Sequence, residues 1–250
     1  MAGTSDVSPG YRPYEPQLVP VIRADNLWTV EGPEVAYRLT GLTIPCPTRM
    51  TVIRLGDGTL CLHSPISMSD DICRLVDDIG KVSVLIAPNS YHYVHLKAWA
   101  DKYRSADVLC SPGAIAKVGI DRAVPLGSDV SKRLANDLDQ YQIDLGEFTE
   151  TIFFHRVTRT LIVTDLMQNF ESSRAAGLFT RFLLVAGGAA GPNGRPSIEI
   201  RLAARKHRDA LRKGVQQMLA WQPSRIILSH GLCFEENAVA EIRRAFAVRS

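Results

Sequence analysis

The segment between residues 82 and 110 constrains the fold most strongly. Val82–Ala87 is a short run that is apolar except for Ser83, a helical pattern covers Val94–Tyr103, and Asp107–Cys110 is a second short run that is apolar after its first residue. Short apolar runs are typical of strands buried on both faces, and a helix between two of them is typical of a βαβ unit. The pattern therefore predicts a pair of parallel strands within an α/β fold.

Further elements are predicted from the same kind of pattern. Gly56-Asp57-Gly58 separates two apolar runs and predicts a hairpin, and Ser69 is a capping candidate for a helix that ends at Ile79. We predict one long amphipathic helix over Ile198–Trp221, with Ile198, Leu202, Leu211, Val215 and Leu219 facing inward. The other predicted elements are strands at Leu27–Val30, Met50–Leu55, Thr59–Leu62, Asp139–Asp144, Thr151–Phe154, Thr160–Thr164 and Arg225–Leu228, and a helix at Glu235–Val248.

The domain organisation predicted from the sequence is simple. The chain has 250 residues, of which 46% are hydrophobic, and this suffices for one large core. Residues 1–20 contain four prolines and few aliphatic residues, so we predict an extended tail that lies on the surface or is disordered. Residues 21–250 are predicted to form a single domain.

Charge and cysteine content argue against several classes of protein. The 29 basic residues nearly balance the 26 acidic ones, so we expect no nucleic-acid partner. The five cysteines form no C-x-x-C pair, which argues against a disulfide framework or a structural zinc knuckle. We see neither a signal peptide nor an apolar run long enough to span a bilayer, so we expect a cytoplasmic protein with no membrane partner.

Polar residues stand directly after three of the predicted strands. Asn89 and His92 follow Val82–Ala87, Asp165 follows Thr160–Thr164, and His230 follows Arg225–Leu228. In an open α/β sheet, ligands bind beyond the carboxyl ends of the strands, where loops bring distant residues together. Two imidazoles and a carboxylate suit zinc, iron or manganese. Taken singly, each residue has a simpler interpretation, because a histidine after a strand is often structural and Asp165 could cap a turn.

Four motifs in order resemble the metallo-β-lactamase superfamily. Residues 87–92 look like its H-x-H-x-D-H motif, Thr164-Asp165 like its strand-ending Gly-Asp, and Ser229-His230-Gly231 like its late His-Gly. Together with His63-Ser64-Pro65, these motifs are most similar to an uncharacterised branch of the superfamily. The resemblance covers roughly residues 25–250 and implies an αββα sandwich of two mixed sheets.

The departures from the superfamily motif fall mostly on one metal site. Ala87 and Asn89 stand where the motif has its first two histidines, Tyr91 replaces its aspartate, and only His92 is retained. We find no convincing counterpart of the middle histidine. The resemblance therefore implies that the first metal site is lost, while His92, Asp165 and His230 remain as ligands for one divalent ion.

The functions implied by this set remain alternatives. The first is a mononuclear metal-dependent hydrolase of unknown small-molecule substrate, with zinc or iron as the ion. The second is a metal-free relic of the fold that binds a ligand or partner without catalysis, and the third is a redox role for one iron. Tyr91 and His95 are the candidates for proton transfer. Asn89 and Tyr91 could orient water or substrate, and His63 could hydrogen-bond the site from below.

Overall fold

Seven strands form the first of two mixed sheets. The computed structural model describes residues 10–39, 42–187 and 190–247. The spatial order of this sheet is the same as the order in the chain, with antiparallel pairs from β1 to β4 and parallel pairs from β4 to β7. Its strands are β1 Pro20–Ala24, β2 Leu27–Leu39, β3 Leu42–Arg54, β4 Leu60–His63, β5 Val82–Ala87, β6 Asp107–Cys110 and β7 Ala123–Pro125.

Four strands form the second sheet, in the order β11-β10-β9-β8. They are β8 Leu138–Asp144, β9 Thr149–His155, β10 Thr160–Val163 and β11 Arg225–Leu228. Strands β10 and β11 run parallel, and the remaining pairs are antiparallel. Apolar side chains of both sheets share one buried cluster, in which Ile53 and Ile86 of the first sheet join Phe153 and Ile227 of the second.

Seven α-helices lie in the described part of the chain. They are α1 Asp70–Ile79, α2 Leu96–Lys102, α3 Pro112–Val118, α4 Leu178–Gly187, α5 Ile198–Lys206, α6 Arg208–Ala220 and α7 Ala238–Ala245, with 3-10 helices at Asp129–Asn136 and Ser172–Arg174. One buried cluster joins α1–α3 to the first sheet, and another joins α5–α7 to the second. The predicted two-sheet sandwich is thus confirmed.

Several predicted elements are found where the sequence placed them. The strands predicted at Val82–Ala87, Asp107–Cys110 and Arg225–Leu228 match residue for residue, and the hairpin around Gly58 forms between β3 and β4. The Ser69 hydroxyl accepts the Ile72 N–H at 3.4 Å, as expected of a helix cap. None of the described helices is long and apolar enough to cross a membrane.

The single long helix predicted over Ile198–Trp221 was wrong. The chain leaves helical geometry at His207, which ends α5 and precedes α6, and its imidazole lies against Gly146 of the β8–β9 turn. Helix α5 buries Ile200 and Ala204. The predicted inward set combined two faces, because Leu202 and Leu211 lie about 2.5 helical turns apart. Ile198 and Leu202, predicted to face inward, are instead 44% and 50% exposed.

The described part of the N-terminal segment packs against the residues that precede α4. Tyr11 is only 1% exposed, and its ring packs edge-on against Phe170 at 5.2 Å. Its backbone bridges to Ala175, so the segment contacts the stretch that leads into α4. The described residues before β1 therefore pack against the segment between β10 and α4.

Candidate metal centre

The ends of β5, β10 and β11 meet at one edge of the sandwich. Val163 and Leu228 are partners in the parallel β10–β11 pair, so Asp165 and His230 leave the second sheet side by side. The loop after β5 joins them through a bridge between Asn89 and Glu150 of β9. Residues from both sheets are thereby brought together, as predicted from the strand-end pattern.

The three candidate ligands converge on one point. His92 Nε2 lies 3.1 Å from Asp165 Oδ2, His230 Nε2 lies 3.2 Å from Asp165 Oδ1, and the two Nε2 atoms are 3.1 Å apart. His92, Asp165 and His230 are the group of potential metal ligands among the described residues, and their ligand atoms all lie within 4.8 Å of one another.

Each of the two histidines also makes a hydrogen bond through Nδ1, the ring nitrogen that faces away from the site. His230 Nδ1 is 2.9 Å from the carbonyl oxygen of Pro47, and His92 Nδ1 is 2.6 Å from the Ser64 hydroxyl. Because a carbonyl oxygen only accepts hydrogen bonds, Nδ1 of His230 carries a proton, and Nε2 is the ring nitrogen that faces the site. This is the arrangement that orients metal-binding histidines.

Asn89 connects the carboxylate to the loop that carries His92. Its Nδ2 donates to Asp165 Oδ2 at 2.7 Å and to Thr164 Oγ1 at 2.9 Å. Its Oδ1 accepts the backbone N–H groups of Tyr91 and His92, both at 2.9 Å. Asn89 has no exposed surface, so the predicted role in orienting water or substrate was wrong. It orients the candidate ligands instead.

Glu150 is a buried carboxylate beneath this network, and sequence reasoning missed it. It accepts the backbone N–H groups of Thr164, Asp165 and Leu166 at 2.7, 2.9 and 2.9 Å. Burial and the nearby Asp165 carboxylate raise the pKa of Glu150 to about 7, against the opposing effect of the backbone hydrogen bonds. The sequence signal for Glu150 is its place in strand β9, because a charged residue in a strand that is otherwise buried needs polar partners.

The site concentrates opposite charges in a buried place. Burial alone would raise the pKa of Asp165, but His92 and His230 hold the pKa of this carboxyl well below its usual range. Burial alone would lower the pKa of His230, yet Cys46 and Asp165 beside it leave that pKa well above the ordinary value. Cys46 Sγ lies 3.3 Å from His230 Nδ1, a contact the sequence did not indicate.

Backbone geometry explains the glycine of the Ser229-His230-Gly231 motif. Gly231 has φ of +87°, and a Cβ there would lie 2.1 Å from the carbonyl oxygen of Asn169. Only glycine permits this close approach of the two loops. The buried guanidinium of Arg49 donates to the Gly231 and Leu228 carbonyls and pairs with Glu31 at 2.6 Å, which fixes the end of β11.

The three candidate ligands lie at the bottom of a cavity of about 750 Å³. We call the buried polar set His92, Asp165, His230, Asn89 and Glu150 the floor. The wall above it is formed by the loop after β5, Phe148, Phe170 and residues of α4 and α5. The cavity is large enough for a small-molecule ligand and is closed on one side by apolar side chains.

The other predicted site residues lie in different places. Tyr91 is 41% exposed and stacks on Phe148 with ring centroids 6.0 Å apart, while His95 precedes α2 in the cavity wall. His63 is 1% exposed, and neither of its ring nitrogens has a hydrogen-bond partner in the described part of the chain. The predicted hydrogen bond from His63 to the site was wrong, because the neighbouring Ser64 makes it.

The donor set fits a single divalent ion. Neighbouring ligands of a tetrahedral zinc ion lie about 3.3–3.5 Å apart. The distances of 3.1–3.2 Å between the ligand atoms are close to this spacing. Ala87, by contrast, is wholly buried in the apolar core of the first sheet and has no donor atom. The residues therefore suit one ion and not two.

The fold is that of the metallo-β-lactamases. A metallo-β-lactamase from Hirschia baltica superposes with a TM-score of 0.55 at 10% identity, covering 94% of this chain and 98% of that one. One from Erythrobacter litoralis gives 0.56 at 12% identity, with 94% and 99% covered. One from Pseudomonas aeruginosa, in its mono-zinc form, gives 0.54 at 12% identity, with 91% and 96% covered.

Comparison by sequence is less specific than comparison by structure. Residues 24–116 match the family described as "Domain of unknown function (DUF4336)". No curated protein matches the sequence. Because the identities to these three solved structures are at most 12%, the structural neighbours define the fold alone.

Proposed function

We propose that this protein is a metal-dependent hydrolase that works with one divalent ion, zinc or iron. The observation that carries the proposal is the convergence of His92, Asp165 and His230, whose ligand atoms lie within 4.8 Å of one another beneath a large cavity. Three protein ligands with an open position are the usual set of a catalytic zinc site. The mono-zinc form of the Pseudomonas aeruginosa neighbour is a precedent for one ion in this fold.

His92, Asp165 and His230 would hold the ion through two Nε2 atoms and a carboxylate. A bound divalent ion would lower the pKa of a coordinated water and polarise a carbonyl or phosphoryl oxygen. Asn89, Ser64 and the Pro47 carbonyl keep the ligands aimed at the site. This rigid support is what a ligand set needs to bind with little rearrangement.

His95 is our candidate for moving a proton. It lies in the cavity wall, and its buried Nε2 has no hydrogen-bond partner among the described residues. Burial lowers the pKa of His95, so the imidazole is neutral near pH 7 and able to accept a proton. Tyr91, stacked on Phe148 at the edge of the cavity, is the second candidate for this role and for contact with the leaving group.

A metal-free ligand-binding protein is the second candidate function. One observation favours it, because the three side chains can hydrogen-bond to one another with no ion between them. In that case the floor would be a closed polar network at the bottom of a binding cavity. The two functions differ in their dependence on metal.

The test is hydrolysis of chromogenic carboxylic and phosphoric ester substrates after removal of metal with a chelator and after reloading with zinc or iron(II). We expect activity to return with the ion, to be lost in His230→Ala, and to persist in His207→Ala, whose histidine lies outside the cavity. A protein that binds no ion under these conditions would favour the metal-free function. Activity unaffected by chelation and by His230→Ala would contradict the hydrolase proposal.

A further inference from the structure

The edge of the cavity is unusually apolar for an exposed surface. Seven large apolar side chains lie on the cavity wall or on the helices that form it, with exposures of 41% to 84%. We call this set the rim: Tyr91, Val94, Leu178, Phe182, Val185, Ile198 and Leu202. Five other large apolar side chains are comparably exposed in the described part of the chain, and none of them lines the cavity.

The rim residues of α4 recur at helical spacing. Leu178, Phe182 and Val185 are separated by intervals of four and three residues, so they share one face, and Phe182 is 65% exposed. Thr180 and Leu184 of the same helix line the cavity. The helix thus presents apolar side chains to solvent in addition to those it turns toward the cavity.

The same holds for α5. Ile200 and Ala203 line the cavity, while Leu202 is 50% exposed and Ile198 both lines the cavity and reaches solvent. An exposed apolar patch of this kind marks an interaction surface.

Charge indicates the kind of partner that the rim contacts. Residues 178–213 contain eight lysine and arginine residues and two acidic residues, whereas the rest of the chain has 21 basic and 24 acidic residues. Arg181 on α4 and Arg205 on α5 are exposed beside the rim residues of their helices. Apolar side chains accompanied by arginine and lysine are typical of helices that lie in the interface of an anionic bilayer.

We propose that the rim and its flanking basic residues dock this chain on an anionic lipid surface, with the cavity opening toward the lipid. No membrane partner was expected from the sequence, because no segment is long enough to span a bilayer. A peripheral contact needs no spanning helix. Docking does not depend on metal or on catalysis, so it stands apart from the proposed hydrolase activity.

The test is co-sedimentation of the full chain with phosphatidylcholine vesicles that do or do not contain phosphatidylserine. Binding should require phosphatidylserine and weaken between about 0.1 and about 1 M salt, as the Debye length shrinks. Phe182→Glu should reduce binding at least about tenfold, the factor that corresponds to burial of a phenylalanine ring. Arg205→Glu should reduce it severalfold.

Val157→Glu is the matched control. Val157 is 69% exposed, close to the exposure of Phe182, but it follows β9 at the end opposite the cavity. This variant should bind vesicles like the wild type. Three results would overturn the proposal: no binding to phosphatidylserine vesicles, equal loss in Phe182→Glu and Val157→Glu, or self-association through the rim in sedimentation velocity without vesicle binding.

Discussion

The floor and the rim belong to the same cavity but are built in opposite ways. Each polar group of the floor is buried and fixed by named partners, so that Glu150 alone accepts three backbone N–H groups. The rim consists of exposed apolar side chains such as Phe182 and Leu202. The floor therefore depends on accurate geometry, whereas the rim depends only on the chemical character of its surface. Substitutions should act very differently on the two.

The largest effect on stability is expected at Glu150. Glu150→Ala leaves the N–H groups of Thr164, Asp165 and Leu166 buried without partners, and each such group costs about 1–3 kcal/mol. We expect the free energy of unfolding in denaturant to fall by at least about 3 kcal/mol. The control is Glu147→Ala, an exposed glutamate three residues earlier, which should change it by less than about 0.5 kcal/mol. Similar losses of unfolding free energy in both variants would show that the buried Glu150 carboxylate stabilises the fold no more than an exposed one does.

The next largest effect is expected on zinc affinity, because Asn89 positions two of the candidate ligands. Asn89→Ala removes the donor to Asp165 and the acceptor that holds the His92 loop, and we expect zinc affinity to fall by about 10–100-fold. The measurement is competition with a zinc-binding dye. His95→Ala, in the cavity wall, should leave the affinity within a few-fold of wild type. Unchanged affinity in Asn89→Ala would mean that the ligands are positioned without it.

A pH effect is expected from His63, which lies beneath the floor. Burial and the nearby His92 lower the pKa of His63 to about 3. The unfolded chain takes up this proton near pH 6.5 and the folded protein does not, so stability falls as pH decreases between these values, by up to about 1.4 kcal/mol per pH unit. His63→Asn should show a shallower fall between about pH 6 and about pH 4 in denaturant titrations. Equal slopes would mean that His63 binds its proton in the folded state.

The smallest effect is expected at the rim. Leu202→Ser replaces a side chain that is 50% exposed, and we expect the free energy of unfolding to change by less than about 0.5 kcal/mol. Leu228→Ser in the buried strand β11 is the comparison, and it should cost several kcal/mol, on the order of a core truncation. A large loss in Leu202→Ser would mean that the rim is part of the folded core and not a contact surface.

The fold and the convergence of strand ends could be predicted from the sequence because both arise from short-range patterns. Val82–Ala87 and Arg225–Leu228 are mostly apolar runs followed by turn or polar residues, and such strands place the residues after them at a common sheet edge. His92, Asp165 and His230 were accordingly predicted to lie together, and they do.

The supporting groups could not be predicted, because they depend on contacts between distant segments. Glu150 reaches Thr164 only after β9 and β10 pair, and Cys46 lies 184 residues from His230 in the chain. The break at His207 is not evident from helical periodicity. Ile198 and Leu202 were predicted to lie inside because they are apolar, although Leu202 is about 2.5 helical turns from Leu211 and so lies on the opposite face.

Zinc binding by the floor is the property on which the proposed function depends, because His92, Asp165 and His230 are inferred to hold one divalent ion. It can be measured by equilibrium dialysis of the metal-free protein against zinc, with elemental analysis of protein-bound ions in the wild type and in His230→Ala. We predict one ion per chain in the wild type and none retained in His230→Ala, with circular dichroism showing both proteins folded. Two ions per chain, or an ion that His230→Ala still retains, would contradict a single site built on these three residues.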